Sequence, residues 1–198
     1  MLIAIYICTL IKIVLLMKNI KLLIVLIVFG FTVNLSAQSA GTTTENTAAT
    51  ADLLVAMTLT EEASLNFGSS LLSDATGGTV ILPSNSITRE YTGGVVTSAA
   101  TPAPTNANFN VTGTGLEVYN VTLPATVSVT HTTVVTGVVG MVISALTVRF
   151  NGASVDATQS TLSALGTDSF TIGGTLTVQL NQVGGQYAGS FPVSVDYN

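Results

Sequence analysis

The stretch of residues 116–150, LEVYNVTLPATVSVTHTTVVTGVVGMVISALTVRF, is rich in threonine and valine and decides the fold class. It contains the segments Leu116–Leu123, Thr126–Val135 and Val142–Phe150, with proline or glycine residues between them. β-Branched residues favour extended backbone, whereas glycine and proline favour turns. The apolar run Val138–Leu146 resembles a buried helix in composition, but its glycine boundary and its β-branched content favour a buried strand. The stretch therefore predicts three consecutive strands.

The same pattern extends to both sides of this stretch. Leu53, Val55, Met57 and Leu59 alternate with their neighbours, which predicts a strand with one apolar face over Leu53–Leu59. Further strands are predicted at Ser64–Gly68, Thr79–Leu82, Ile87–Tyr91, Gly93–Thr97, Asn108–Thr112, Ser169–Ile172, Thr175–Leu180 and Gln186–Tyr197. Turn signals such as Gly173-Gly174 separate them. Many short strands without a helical apolar face predict an all-β fold, an immunoglobulin-like β-sandwich of about nine to eleven strands.

The first 37 residues are predicted to form a cleaved signal region. Lys18 and Lys21 precede the apolar segment Leu22–Val33, and Leu35-Ser36-Ala37 offers a small-residue cleavage site. Met17 is the predicted true start. Twelve apolar residues are fewer than the roughly 20 that a bilayer requires. The alternative is a helical membrane hairpin or an uncleaved anchor made from Met1–Leu16 and Leu22–Val33 together, but Lys12, Lys18, Asn19 and Lys21 interrupt the apolar run. Residues 38–50 are predicted to be a flexible leader, and residues 51–198 a single sandwich domain.

The charge that remains after residue 37 excludes several classes of partner. Two arginines, Arg89 and Arg149, stand against ten acidic residues, a balance of −8. Such a chain lacks the basic face that nucleic-acid binding requires, and anionic membranes repel it. The only cysteine, Cys8, lies in the signal region, so no disulfide or cysteine metal site is expected in the exported chain.

The polar residues that most resemble a catalytic or metal site have simpler interpretations. His131 is the only histidine and is predicted to face solvent, because it has no cysteine partners and lies among serines and threonines. Glu61-Glu62 is predicted to be a solvated turn, since no loop supplies the six to eight oxygens of a Ca²⁺ site. Asp74, Asp156 and Asp168 are predicted to be turn residues in separate loops.

The other candidate groups also favour a structural role. Arg89-Glu90 is predicted to be an exposed pair that contributes little stability. Tyr91, Tyr119 and Tyr187 are expected to pack in or around the core, because a chain without tryptophan offers a poor sugar-stacking platform. The sequence therefore predicts no catalytic, cofactor-binding or metal-binding residues, and no enzyme activity.

Four stretches carry a resemblance to a known family. They are Met57-Thr58-Leu59-Thr60 with Leu65-Asn66-Phe67-Gly68, Phe109-Asn110-Val111-Thr112-Gly113, Tyr119-Asn120-Val121-Thr122-Leu123-Pro124 and Gly185-Gln186-Tyr187-Ala188-Gly189-Ser190-Phe191. In this order the chain resembles a bacterial domain-of-unknown-function family of secreted β-sandwich proteins. The resemblance implies a secreted sandwich that spans Leu53 to Asn198.

The C-terminus is also similar to that of chaperone-usher pilin subunits. Phe191, Val193, Val195 and Tyr197 alternate, Tyr197 is penultimate, and a glycine lies fourteenth from the end. In pilins this strand is bound by a chaperone through β-augmentation, and a neighbouring subunit later completes the fold. The likeness has departures: pilins often hold a disulfide, and a proline interrupts the last strand here. The leader 38–50 has few apolar side chains, which favours a self-contained sandwich over an incomplete one.

Together these patterns predict an exported, non-enzymatic structural or interaction protein of the cell surface or periplasm of a Gram-negative-type bacterium. A pilus-like or coat subunit is one form that it could take. The expected partners are copies of itself or related subunits, joined by strand pairing, without nucleic acid and without stable membrane insertion. The alternative is a monomeric ligand- or glycan-binding surface module.

Overall fold

The computed structural model describes residues 45–72 and 76–198. The predicted signal region and the predicted cleavage site lie outside the described residues, as does Asp74. The chain divides into two units, and the second, Ala51–Asn198, is the compact domain considered below. Residues 45–50 are exposed and have no regular secondary structure. In the described part the regular elements are all strands, so the prediction of an all-β fold is confirmed. No helix there is long and apolar enough to cross a membrane.

Thirteen strands are present in the described ranges. They are β1 (Thr58–Ala63), β2 (Ser70–Leu72), β3 (Gly78–Leu82), β4 (Glu90–Gly93), β5 (Val95–Thr97), β6 (Ala107–Thr112), β7 (Val118–Thr122), β8 (Thr126–His131), β9 (Gly140–Phe150), β10 (Gln159–Thr161), β11 (Thr167–Val178), β12 (Tyr187–Ala188) and β13 (Ser194–Tyr197). The count exceeds the predicted nine to eleven because β2, β5, β10 and β12 have only two or three residues each.

The strands form one large sheet and two small ones. The large sheet has eight strands in the order β1-β6-β11-β9-β8-β12, with β3 on the second half of β11 and β4 beside β3. A three-stranded sheet has the order β10-β7-β13, and β2 pairs with β5. The three-stranded sheet packs its inner residues Tyr119 and Val121 against the large sheet, as in a β-sandwich.

Strand β11 lies in the middle of the large sheet and contains a glycine pair. The sequence predicted a turn at Gly173-Gly174, but the backbone continues through it from Thr167 to Val178. The prediction of two strands here was therefore wrong. Both glycines are buried, and a Cβ at Gly173 would overlap the backbone of Leu82, Pro83 and Ser84. Glycine is present because the chain after β3 lies directly against β11, and not because the chain turns.

The alternation of inward and outward side chains in strand β9 shifts by one residue at a β-bulge. Ala145 and Leu146 lie opposite the single residue Gly174 of β11, and Ala145 adopts a φ of 48°. One extra residue in a strand turns all later side chains to the other face. Met141 and Ile143 therefore face inward before the bulge, and Val148 and Phe150 do so after it.

Two hydrophobic clusters fill the interior on either side of this bulge. The first includes Phe109, Tyr119, Phe150, Leu162 and Phe170, all nearly inaccessible to solvent. The second includes Phe67, Val80, Leu82, Val127, Val129, Met141 and Ile143. Leu65, Leu146 and Phe191 pack against both clusters and join them. Burial of apolar area in these clusters is the main stabilising contribution to the fold.

The N-terminal strand begins later than the alternation predicts. Strand β1 starts at Thr58 and ends at Ala63, so it includes the Glu61-Glu62 pair that was predicted to be a turn. Residues 53–55 precede it without strand pairing, and Leu53 is 95% exposed. The segment Ser64–Gly68 forms only an isolated bridge between Asn66 and Thr105. Alternation indicated the right region, but the position of β6, the partner of β1, determines where pairing starts.

Candidate interaction surfaces

The ring nitrogens of His131 form hydrogen bonds with the backbone around them. Its Nδ1 accepts hydrogen bonds from the N–H groups of Thr133 (3.1 Å) and Val134 (3.0 Å), so Nε2 is left to donate to the Gly184 carbonyl (3.1 Å). The ring also packs edge-on against Tyr187, with 5.1 Å between centroids. The ring is only half-buried, but neither nitrogen points freely to solvent, contrary to the prediction. This arrangement fixes the β8–β9 turn and engages both ring nitrogens in hydrogen bonds to the backbone.

The acidic residues do not converge on a metal site. Glu62 accepts a hydrogen bond from the Asn110 amide on the outer face of the large sheet (2.9 Å). Asp168 lies in strand β11 and not in a loop, so that prediction was wrong. Its Oδ2 accepts hydrogen bonds from the hydroxyls of Tyr119 (2.9 Å) and Ser160 (2.7 Å). No group of three or more potential ligands is found among the described residues.

The Tyr119–Asp168 hydrogen bond joins the two facing sheets. Tyr119 is fully buried, and burial together with the neighbouring carboxylate raises the pKa of its phenol far above its ordinary value. The phenol is therefore a neutral donor at neutral pH. Because tyrosine is amphipathic, this side chain fills the first cluster and still satisfies the carboxylate at the cluster's rim.

Asp156 is held by two donors in the loop between β9 and β10. Ser84, itself buried, donates to Asp156 Oδ1 at 2.6 Å, and Arg149 Nε donates to the same oxygen at 2.6 Å. Desolvation raises the pKa of the Asp156 carboxyl, but the hydrogen bonds from Ser84 and Arg149 and the charge of Arg149 outweigh it. The net pKa is below the ordinary value.

We expect Asp156→Asn to lower stability at neutral pH and to have a smaller effect at pH 3. A depressed carboxyl pKa contributes stability above the unfolded-state pKa of about 3.9, and this contribution is lost as the pH falls through the folded-state value. The Asp156 side chain is 37% exposed, so solvent screening limits the effect to at most about 1 kcal/mol. Urea unfolding of both proteins at pH 7 and pH 3 measures it. A difference that is equal at the two pH values would contradict this assignment.

Arg89 is not an exposed partner of Glu90, as the sequence predicted. Its Nη1 donates to the backbone carbonyls of Phe67 (2.9 Å) and Ser69 (2.6 Å), and its guanidinium lies 5.5 Å from the ring centroid of Tyr91. The side chain therefore connects the segment before β4 to the segment before β2. A planar fork of donors suits several carbonyls at once. No carboxylate in the described part of the chain neutralises it.

Tyr91, Tyr119 and Tyr187 pack in or against the core, as the sequence predicted. Tyr119 lies in the first cluster, whereas Tyr91 and Tyr187 pack against the second. Tyr187 donates to the Val183 carbonyl at 2.5 Å. They form no common aromatic face, which a stacking site for sugars would need.

One polar recess opens near the start of β11. It has a volume of about 420 Å³, and its wall includes Asn110, Asn151, Thr161, Thr167, Asp168 and Ser169. The Asp168 carboxylate is already occupied, because Oδ1 accepts from the Ser169 N–H (2.7 Å) and Oδ2 accepts from two hydroxyls. Hydroxyl and amide groups suit a small polyol, but no aromatic residue forms part of the wall.

Strand β13 has an unpaired outer edge in the described part of the chain. The strand pairs with β7 on one side, and the Asn198 N–H donates to the Val118 carbonyl. Backbone groups alternate between the two edges of a strand, so those of Val195 and Tyr197 point away from β7. No other strand in the described ranges pairs with that edge. It therefore presents a short row of unpaired donors and acceptors.

Tyr197, the penultimate residue, takes part in a hydrogen-bond network that joins three segments and that the sequence did not predict. The Tyr197 hydroxyl accepts from the Thr114 N–H and donates to the Val55 carbonyl, both at 2.6 Å. The Val55 N–H in turn donates to the Thr114 hydroxyl, also at 2.6 Å. The C-terminal strand, the loop after β6 and the segment before β1 are thus joined at one end of the domain. The penultimate position of Tyr197 was a signal, but nothing in the sequence named its partners.

A family model described as "Domain of unknown function (DUF4402)" matches residues 57–197 of the chain. The chain belongs to the DUF4402 family. The predicted resemblance to a domain-of-unknown-function family is therefore confirmed, while the likeness to pilins stays a prediction. The DUF4402 region ends at Tyr197, so β13 and its tyrosine lie inside it, whereas Leu53–Val55 precede it. No curated protein and no solved structure matches this DUF4402 protein significantly.

Proposed function

We propose that the protein is an exported, non-enzymatic structural or interaction protein of the bacterial cell surface or periplasm. In this proposal it associates with copies of itself or related subunits, and the free edge of β13 accepts the partner's strand. The observation that carries the proposal is the unpaired edge itself. It belongs to strand β13, in which the partly buried Val195 and Tyr197 alternate with the exposed Ser194 and Asp196.

Association at this edge has a simple physical basis. An added strand would satisfy the outward N–H and C=O groups of Val195 and Tyr197, and alternate side chains would extend the apolar face. Natural edge strands are usually protected by lysines, prolines or bulges. Strand β13 has no lysine, and Pro192 precedes the strand without interrupting it. The edge is therefore less protected than that of β1, where a bulge and two glutamates interrupt regular pairing.

The hydrogen bonds made by the candidate catalytic side chains support the non-enzymatic part of the proposal. Both nitrogens of His131 and both oxygens of Asp168 are engaged in structural hydrogen bonds. The two arginines of the described ranges bind carbonyls or a carboxylate. The Ser84 hydroxyl donates to the Asp156 carboxylate, but Ser84 is buried, so this pair is closed to a substrate.

The test is Val195→Pro. The Val195 N–H faces the free edge, so proline removes a donor for a neighbour while leaving the hydrogen bonds to β7. We expect surface fractions of cells producing the wild-type protein to give a heat-sensitive ladder on unboiled denaturing gels. Thin filaments should appear by negative-stain microscopy. The variant should give monomer alone.

Val195→Thr is the matched control, because it keeps the N–H and the β-branched shape, and it should retain the ladder. Thermal unfolding of the purified monomers shows whether Val195→Pro is folded. A wild-type protein that runs only as monomer would refute the proposal, and so would a ladder that persists in folded Val195→Pro.

A monomeric ligand- or glycan-binding module is the second candidate. The recess lined by Asn110, Asn151 and Ser169 favours it, since its size and its mixed donors and acceptors suit a small polyol. A monomeric wild-type protein that binds a sugar, with the affinity lost in Asn151→Ala, would favour this function over assembly.

A further inference from the structure

Three segments that are far apart in the sequence meet at one end of the domain. The segment before β1 is joined to the loop after β6 through Val55 and Thr114. That loop is joined to the β10–β11 loop, because the Gly113 N–H donates to the Gly166 carbonyl at 2.9 Å. The Leu116 N–H also donates to the Leu162 carbonyl at 3.2 Å. We call the exposed surface that these segments form the apolar tip, defined by Leu53, Leu54, Val55, Leu116 and Leu165.

The apolar tip holds large aliphatic side chains in solvent. Leu53 is 95% exposed, Leu165 90%, Leu116 70% and Val55 63%. Single exposed apolar residues are ordinary, but a group on adjoining segments marks an interaction site. Elsewhere in the described ranges, exposed residues such as Val135 and Val155 occur on separate loops.

Backbone strain at Leu116 is an independent indication. Leu116 adopts a φ of 67°, a left-handed conformation that glycine or asparagine accepts and that leucine disfavours. Strain of this kind persists where the surrounding structure imposes it, and it is concentrated at functional sites. Here the strained residue places an apolar side chain in water, so neither local conformation nor burial within this chain explains a leucine at this position.

The charges next to the apolar tip restrict its partner. Asp52 is exposed and directly precedes Leu53, and Glu117 is partly exposed and directly follows Leu116, so a carboxylate adjoins the tip on each of these two segments. Arg89 and Arg149 are engaged elsewhere, so in the described ranges no free cation is available to face these carboxylates in a second copy. Anionic lipid headgroups would be repelled in the same way. An apolar centre with a charged rim is the usual composition of a protein interface.

We propose that the apolar tip docks onto a different protein, at an apolar pocket bordered by lysine or arginine. The inference does not depend on strand pairing at β13, because it uses other residues and another class of partner. Apolar contact would provide affinity, and the basic border would select the partner and accelerate association.

The test uses two short fluorescent model peptides of equal length, one with alternating leucine and lysine and one with alternating leucine and glutamate. We expect the processed protein to bind the lysine peptide and not the glutamate peptide in anisotropy titrations. The double variant Leu116→Asn and Leu165→Ser should weaken binding at least about tenfold, since two apolar contacts are lost. Asparagine tolerates the left-handed conformation, so the fold should be retained.

The double variant Val135→Ser and Val155→Ser is the matched control and should bind like the wild type. Val195→Pro should also bind normally, which separates this inference from the proposed assembly. Equal binding of both peptides, or an equal loss in the control variant, would refute the proposal. Cosedimentation of the wild type with phosphatidylcholine vesicles would refute the proposal if the Leu116→Asn and Leu165→Ser variant no longer cosedimented. Concentration-dependent dimerisation of the wild type in analytical ultracentrifugation would refute it too, if this variant remained monomeric.

Discussion

Gly173→Ala is expected to reduce the free energy of unfolding by more than about 3 kcal/mol, or to prevent folding altogether. A Cβ at this position would overlap the backbone oxygen of Leu82, and it would lie 2.4 Å from the backbone nitrogen of Ser84 and 2.6 Å from the Pro83 carbonyl carbon. Backbone atoms cannot move aside as a flexible side chain can, so the central strand β11 and the end of β3 would separate. Urea unfolding followed by tyrosine fluorescence or circular dichroism measures the loss.

Gly140→Ala is the control for this prediction, because Gly140 also lies in a strand of the large sheet. A Cβ there would have no atom within 4 Å, so the substitution should change stability by less than about 1 kcal/mol, with a gain expected from reduced chain entropy. Similar losses in the two variants would mean that the close approach at Gly173 is not what requires glycine.

Phe170→Ala is expected to cost about 3–5 kcal/mol. Phe170 is only 2% exposed and lies at the centre of the first cluster. Its ring stacks on Phe109 with 5.3 Å between centroids and meets Phe150 edge-on at 5.8 Å. Removing it leaves a cavity between Phe109 of β6 and Phe150 of β9, and such a rigid site cannot collapse to fill it. Denaturant unfolding gives the difference directly.

Phe109→Ala should cost a similar amount, since it removes the other ring of the same stack. Leu165→Ala, five residues before Phe170, should change stability by less than about 0.5 kcal/mol because that side chain is 90% exposed. A small cost at Phe170 would mean that this group of rings, all on the large sheet, contributes little to the stability of the first cluster.

The all-β fold could be predicted because it depends on local properties. Alternation along Thr126–His131 and along β6 is visible in the sequence, and in both strands alternate residues are buried in the structure. Strand limits depend on partners that are distant in the chain, so Leu53–Leu59 was placed too early. The glycine pair in β11 shows the same difficulty, since a turn and a close backbone approach both require glycine.

The candidate surfaces were only partly predictable. The alternation of Phe191 to Tyr197 indicated an edge strand that could pair, and the structure leaves its outer edge unpaired. The role of Arg89 was missed because its partners are backbone carbonyls, which have no sequence signature. The apolar tip was missed as well, since Leu53, Leu116 and Leu165 are brought together only by the folded chain.

The bulge at Ala145 makes the length of β9 as important as its composition. The residues before and after it contribute to different clusters, and they do so only because one additional residue shifts the pattern by half a period. A chain that lacked this residue would have almost the same composition and hydropathy, yet Val148 and Phe150 would point to solvent. Among DUF4402 relatives, a single deletion within this strand should therefore be rarer than any substitution in it, whereas surface loops can gain or lose residues freely.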